Sequence, residues 1–416
     1  MARDPDLVLR NAYLQGRDDC VDIAVGDGRI SHIEAEIDER GDEEIDAEGN
    51  LTTPGLVDAH VHMDQALSAS GERLPKYNDG PFEKEHAIQM SAEHFRDRSA
   101  DEIQRVVEEV ARMAAANGTI HVRTHGYVTE QVGTKSIEAL VAAREALADL
   151  LDLQVVAFPQ DGSLRSNDVD QVAAALDAGA DLVGGMDPAS VNADVEGTIE
   201  TWFDLAEDHD ADLDVHLHDP GTLGTYTLDR LAAHTIDRGY EDRVNASHSF
   251  ALADAATAET DVSRFPGGDL NGLIERLSRA GLSVATCYLS TRPGMPIRRL
   301  QDAGVPVAHG ADNVRDHWAP HGNLDPVEAM LIQSLKHDTS YTYSRNDSLD
   351  HLWRMITTDA ARVMGIADGY GIEPGTSADL VLHDALSRQW AIISPTPRRV
   401  VIKDGSVVAR DGELVR

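Results

Sequence analysis

Two histidines, His60 and His62, stand two residues apart in the run Leu56-Val57-Asp58-Ala59-His60-Val61-His62-Met63-Asp64, directly after Pro54-Gly55. An apolar run entered from a Pro-Gly turn predicts a buried strand over 56–64. Side chains at i and i+2 share a face of a strand, so both imidazoles converge on one point at its C-terminal end. Further polar residues collect where later strands are expected to end: Gln160, Asp187, the group His216, His218 and Asp219, then His248, then Asp312. Each alone reads equally well as an ordinary structural polar group; five such strand ends together with His-x-His do not read as accident. Three neutral imidazoles and one carboxylate suit a divalent ion that keeps one position open, and the candidate ligands are His60, His62, His216 and Asp312. Such an ion lowers the pKa of a bound water toward neutrality. His248 is then expected to orient or polarise that water, its bland alternative being a hydrogen bond that only props a ligand. Zinc is the first candidate, one ion per subunit, with iron(II) or manganese compatible with the same donors.

The elements that position these groups follow from hydrophobic periodicity. Segments 56–64, 120–128, 153–162, 182–188, 213–219, 244–250, 283–290 and 306–313 read as short apolar strands, alternating with helical patterns such as 136–151, 168–178, 198–207 and 270–280. One helix is delimited from both ends: Ser99 with Glu102 forms a capping box, Ile103, Val106, Val107, Val110 and Met113 recur at helical spacing, and Gly118 ends it. Strand-helix units of this number predict a (β/α)8 TIM barrel over 54–369, with its site at the strand C-termini. The alternative, an open doubly wound sheet, wants a glycine-rich phosphate loop after the first strand, where His62-Met63-Asp64-Gln65 stands instead. Residues 1–53 and 370–416 each alternate with period two around Asp27-Gly28 and Asp404-Gly405 turns, and neither closes a core alone. They are expected to pair as one small composite β-sandwich domain into which the barrel is inserted.

Composition excludes several classes. The chain of 416 residues carries 36 Lys+Arg against 73 Asp+Glu, a net charge of −37, and its only lysines are Lys76, Lys84, Lys135, Lys336 and Lys403. This balance disfavours nucleic acid and anionic membrane as partners, and the even spread of acidic residues resembles halophilic adaptation to high salt. Cys20 and Cys287 are too few for a disulfide framework or a cysteine-based metal site. With a polar start and no 18-residue apolar run, the protein is expected to be soluble and cytoplasmic.

Pro54-Gly55 with Asp58-Ala59-His60-Val61-His62, His216, His248 and Asp312 resemble the amidohydrolase superfamily, and Val122-Arg123-Thr124-His125 with Val156-Ala157-Phe158-Pro159-Gln160 resemble its cytosine deaminase branch. Arg10-Asn11-Ala12-Tyr13-Leu14, Gly71-Glu72-Arg73-Leu74-Pro75-Lys76, Gly184-Gly185-Met186-Asp187-Pro188-Ala189, His218-Asp219-Pro220-Gly221-Thr222, Asp312-Asn313-Val314-Arg315-Asp316 and Gln389-Trp390-Ala391-Ile392-Ile393 extend the likeness from end to end, toward aminohydrolases of s-triazine rings. The resemblance implies a zinc-dependent hydrolase of non-peptide C–N bonds that displaces an amine from a small nitrogen heterocycle, an s-triazine or a pyrimidine; the alternative is a cytosine-type deaminase that releases ammonia. Cytosine deaminases place a glutamate just after their strand-five His-x-Asp; the segment here is His216-Leu217-His218-Asp219, so the proton shuttle falls to Asp219, His218 or both. Gln160 is expected to read a ring carbonyl and N–H with its amide, and Asp187 to help shape the pocket. The s-triazine aminohydrolase that the chain most resembles has a lysine after the strand-one Met-Asp, whereas Gln65 stands here, which leaves the ring open. Two-metal relatives carry a carbamylated lysine on strand four; none of the lysines lies on a predicted barrel strand, which implies one ion. Residues 71–82 read as a lid, Trp318 as a pocket or underlying residue, and superfamily analogy suggests a homo-oligomer. A non-catalytic heterocycle-binding protein would need neither His248 nor the His218-Asp219 pair.

Overall fold

The computed structural model of the chain describes residues 4–69, 84–160, 166–257, 270–287, 294–336 and 349–415, and shows an α/β fold. The expected lid, 71–82, and the last residues of two predicted strands, 161–162 and 288–290, lie outside the described residues.

The two termini supply two sheets. Strands β1 (Leu7–Ala12), β2 (Val21–Gly26), β3 (Arg29–Glu34) and β4 (Glu43–Asp46) form one in the order β3-β2-β1-β4. In the other, β5 (Thr52–Pro54) pairs with β14 (Leu380–Leu382), which continues to β15 (Val400–Lys403), β16 (Ser406–Arg410) and β17 (Glu413–Leu414). Asp27-Gly28 and Asp404-Gly405 sit at the expected hairpins with positive φ at both residues, 50° and 76° in the first and 46° and 73° in the second, as a type I′ turn requires. Leu7, Leu9, Ile23, Val25 and Ile30 of the first sheet share one buried cluster with Leu380, Leu382, Val400 and Ile402 of the second.

Between them runs a parallel sheet in strict sequence order, β6 (Leu56–Val61), β7 (Thr119–Tyr127), β8 (Asp152–Phe158), β9 (Leu182–Met186), β10 (Asp212–His216) and β11 (Val244–Ser247). A second parallel pair is β12 (Val284–Cys287) with β13 (Val307–Gly310). Two seams connect the sheets. Ala246 N donates to Ser283 O at 2.9 Å and Ser283 N to Val244 O at 3.1 Å; Asp312 N donates to His60 O at 2.8 Å and His62 N to Asp312 O at 2.9 Å. The strands are nearly all buried, which is why they read as continuous apolar runs rather than as alternation. β6, β9, β10, β11 and β13 each end two or three residues earlier than their patterns suggested, because the polar residues at these ends leave the ladder.

Helices occupy the expected intervals. Ala100–Ala116 carries the full capping box at Ser99 and Glu102 and buries Ile103, Val107 and Val110, while Val195–His209 buries Trp202 and Phe203. A Cβ on Gly185 of β9 would stand 2.3 Å from the Trp202 ring, so glycine there lets the indole lie flat on the strand. Glu196, in the first turn of Val195–His209, binds the next helix, Gly221–Arg238, through Arg230 (Nε at 2.5 Å, Nη2 at 3.0 Å) and His234 (Nε2 at 3.0 Å). The Arg230 and then the His234 hydrogen bonds hold its carboxyl down at about 2, below an ordinary glutamate. A folded-state pKa depressed in this way stabilises fully above the ordinary value of 4.5 and stops doing so as pH falls toward 2. Glu196→Gln should therefore melt at a lower temperature than the parent at neutral pH, and the difference should close between pH 4.5 and pH 2 in scans at constant ionic strength.

Candidate active site

The C-terminal ends of the parallel strands carry a cluster of buried imidazoles. His60 closes the ladder face of β6, His62 follows one residue past its end, His216 is the last residue of β10, and His248 follows β11. Asp312 Oδ1 lies 3.6 Å from both His60 Nε2 and His62 Nε2, and His62 Nε2 lies 3.3 Å from His216 Nε2. His60, His216 and His248 each offer a ring nitrogen within 4.8 Å of the other two. Burial first, and then mutual repulsion, drives His216 and His248 far below the ordinary histidine pKa; burial takes His62 to about 3 despite the attraction of Asp312. Burial would raise Asp312, but the facing histidines, His248 foremost, overcome it and hold the carboxylate ionised. His62, His216 and His248 are thus neutral beside an ionised Asp312, the state in which such groups bind cations.

The backbone is bent to make it. Asp187, His248, Ser249 and Asp312 take positive φ values of 35°, 66°, 46° and 62°. Non-glycine residues in this region cost on the order of 1–3 kcal/mol each, and these four stand at three strand ends. At β13 the approach is closer still: a Cβ on Gly310 would fall 2.4 Å from His60 Cβ, so only glycine fits.

The orientation of His60 can be derived from its neighbours. Ser247 Oγ donates to Asp214 Oδ1 at 2.7 Å and accepts from Asn245 Nδ2 at 3.0 Å. Its single proton is committed, so at the 2.9 Å contact with His60 Nδ1 it accepts, and Nδ1 carries the hydrogen. Nε2 is left as a bare lone pair, buried, with no hydrogen-bond partner, facing Asp312. Arg123 anchors the far end of the relay by donating to Asp214 Oδ2 at 2.9 Å, both groups being buried. His248 likewise has no hydrogen-bond partner at either nitrogen, nor His216 at Nδ1. Buried polar atoms seldom stay unpaired, so these nitrogens and the donor types around them fit an absent divalent ion and its water.

Asp58, two residues before His60, is also buried, and its carboxylate accepts from Ala311 N (3.1 and 3.2 Å) and His60 N (3.1 Å), tying β6 to the Asp312 turn; burial raises its pKa to about 7.

A cleft of about 330 Å³, counting its open mouth, leads to the cluster, lined by His62, Gln65, Gln160, His216, His218, His248, Asp312 and Trp318 among others. Gln65 Oε1 accepts from Ser91 Oγ at 3.2 Å, and Ser91 Oγ accepts from Trp318 Nε1 at 3.0 Å. His218 stacks on His248 with ring centroids 4.4 Å apart. Asp187 and Asp219 do not line the cleft. Asp187 is fully buried behind His218, accepting from its Nδ1 at 2.8 Å and from the backbone N of His218 and Asp219. Asp219 turns to Ser190 N at 3.2 Å. None of the described lysines lies on β6–β13. Sequence reasoning passed over Asp58, Asp214 and Ser247 as working residues, although Asp58 and Asp214 each stand two before a predicted ligand and so share its face.

The amidohydrolase family model matches residues 43–409. The chain belongs to the amidohydrolase family. Its members are metal-dependent, and this amidohydrolase has the His/Asp groups to match. It is 42% identical over 418 residues to N-isopropylammelide isopropyl amidohydrolase of Pseudomonas sp. (strain ADP), with all of both chains covered. It superposes with a TM-score of 0.87 on N-isopropylammelide isopropylaminohydrolase from Burkholderia multivorans, 32% identical, covering 98% of this chain and 99% of that one. It also resembles 5-methylcytosine deaminase from Klebsiella pneumoniae, TM-score 0.83 and 25% identical over 98% and 99% of the two chains. This amidohydrolase is an enzyme acting on C–N bonds, as its relatives' names specify.

If the Asp214–Ser247 relay fixes the His60 tautomer, Ser247→Ala should weaken metal binding by about 10–100-fold while the fold persists. Competition with a chromogenic chelator, read beside circular dichroism, checks this; unchanged affinity would remove the relay from the site.

Proposed function

We propose that the chain is a mononuclear, metal-dependent aminohydrolase that displaces an amine from a ring carbon of an N-substituted s-triazine or pyrimidine. The observation that carries this reading is the set of partnerless, buried imidazole nitrogens around an ionised Asp312 at the floor of a cleft sized for a single small ring. His60, His62, His216 and Asp312 would hold one ion, zinc before iron(II). When bound, it would supply a Lewis acid and make water a competent nucleophile at neutral pH.

The remaining roles belong to the protein. His248 faces the ligand set and would orient the attacking water. His218 would move the proton: its Nδ1 points at the Asp187 carboxylate, so Nδ1 keeps its hydrogen and Nε2 is the basic atom, able to take a proton from water and give it to the leaving nitrogen. Asp187 enters the proposed site through that contact, and Asp219 by fixing the same turn. Gln160 and Gln65 would read the ring edge. Gln65 already spends its oxygen on Ser91, so it offers the amide N–H groups to a ring carbonyl. That neutral donor, where the resemblance leads one to expect a lysine, favours a second reading, deamination of a cytosine-like ring, alongside N-alkyl ammelide hydrolysis.

On architecture, we infer that the seam hydrogen bonds close β6–β13 into a (β/α)8 barrel over 54–369. The shared apolar cluster supports a composite β-sandwich of 1–53 and 370–416. No helix among the described residues is long and apolar enough to cross a membrane. A cytoplasmic, salt-adapted enzyme that acts on a small molecule rather than on nucleic acid or membrane, and that self-associates, completes the proposal.

A turnover screen in molar salt with metal-analysed protein tests the substrate. Isopropylamine released from N-isopropylammelide, identified by mass, is the expected product; ammonia from cytosine alone would select the second reading, and no turnover of either ring class would contradict both. His218→Asn should lower kcat about 10²–10⁴-fold with metal content unchanged; retention of full turnover would remove His218 from the proton path.

A further inference from the structure

We propose that Gln65 and Asn313 together recognise a cyclic amide edge of the substrate ring, a carbonyl beside an N–H, and that Ser91 and Asp316 are positioning residues that lock the two side-chain amides in opposite senses. The inference rests on the heterocycle-hydrolase reading and names the ring chemistry that its site takes.

The turns after β6 and β13 run side by side, with Leu67 N donating to Val314 O at 2.8 Å and Ala69 N to Arg315 O at 3.0 Å. Gln65 stands on the first turn and Asn313 on the second, and both line the cleft. Behind them runs one polar relay. An indole N–H can only donate, so at the 3.0 Å contact with Trp318 Nε1 the Ser91 hydroxyl accepts. Its own proton goes to Gln65 Oε1 at 3.2 Å, the one acceptor it meets among the described residues. The Gln65 oxygen is thereby committed, and Nε2 is the atom this amide keeps for a ligand. At the other end of the relay Asp316 acts in the reverse sense. Its Oδ1 accepts from the backbone N of Trp318 at 2.9 Å and of Ala319 at 3.0 Å, and its Oδ2 accepts from Asn313 Nδ2 at 3.0 Å. The Asn313 nitrogen is spent, so this amide keeps its oxygen. Ser91 and Asp316 are both buried, which removes water as a competitor for either lock.

A donor beside an acceptor complements a ring carbonyl beside a ring N–H. Oxo-substituted s-triazines and pyrimidines present such an edge in their lactam form; rings that carry only alkoxy, chloro or amino substituents lack it. A ring without the pair leaves two polar groups of the cleft unmatched, so it is rejected by chemistry rather than by size.

Titration calorimetry on the metal-loaded enzyme tests this with 1,3,5-triazine-2,4,6-trione and uracil, two lactam rings with no amine to lose. The titrations are run well above pH 7, because burial raises the Asp316 carboxyl to about 7 and its acceptor role needs the ionised form. At least one ring should bind, and its fully N-methylated derivative, which keeps the carbonyls without N–H, should bind at least about tenfold more weakly. Ser91→Ala and Asn313→Ala should each raise Kd by about 3–10-fold with metal content and circular dichroism unchanged, and Ser91→Thr, which keeps the hydroxyl, should restore the affinity lost in Ser91→Ala. A metal-loaded wild type that binds neither ring, equal binding of the methylated derivative, wild-type affinity in either alanine variant, or a Ser91→Ala loss that Ser91→Thr shares overturns the inference and leaves the metal centre standing. A wild type that holds no metal overturns the underlying reading as well.

Discussion

Everything at this site depends on burying several imidazoles together while leaving some of their nitrogens without protein partners. Burial alone would be unfavourable, since a polar nitrogen removed from water costs on the order of 1–3 kcal/mol when it finds no hydrogen bond. The fold accepts this at the ends of β6, β10 and β11 and adds backbone strain at Asp187, His248, Ser249 and Asp312. Desolvation keeps His62, His216 and His248 neutral beside an ionised Asp312. A cation resolves both tensions at once, which is why the apparent defects of the cluster read as its purpose.

The supporting groups decide which atoms are presented. Asp214, locked by Arg123, takes the only proton of Ser247, and Ser247 in turn obliges His60 to turn its lone pair inward. Asp187 acts on His218 in the same manner. In both cases a fully buried carboxylate, through Ser247 for His60 and directly for His218, sets which ring nitrogen carries the hydrogen. Gly310 and Asp58 do the corresponding work for the backbone, allowing β13 to approach β6 and pinning the turn that carries Asp312.

Much of this was legible in the sequence. The β6 pattern and its His-x-His, the capping box at Ser99 and Glu102, and both Asp-Gly hairpins appear where the residues indicated, because each rests on a local rule of spacing or dihedral preference. The strand ends were overextended, since periodicity cannot tell a residue that continues the ladder from one that bends out of it. The exchange of roles between Asp187 and the cleft wall was not readable either. Whether a carboxylate lines a pocket or stands behind the ring that does depends on packing between β9 and the turn after β10, and no single segment contains that information.

The central claim is that the imidazole cluster exists to hold one ion. Metal analysis of the purified chain and of His60→Ala, after dialysis against a weak chelator and with circular dichroism on both, tests it most directly. The account predicts one divalent ion per wild-type chain and close to none in a folded His60→Ala protein. Equal metal content in the two, or a wild type that is active and metal-free, would contradict it.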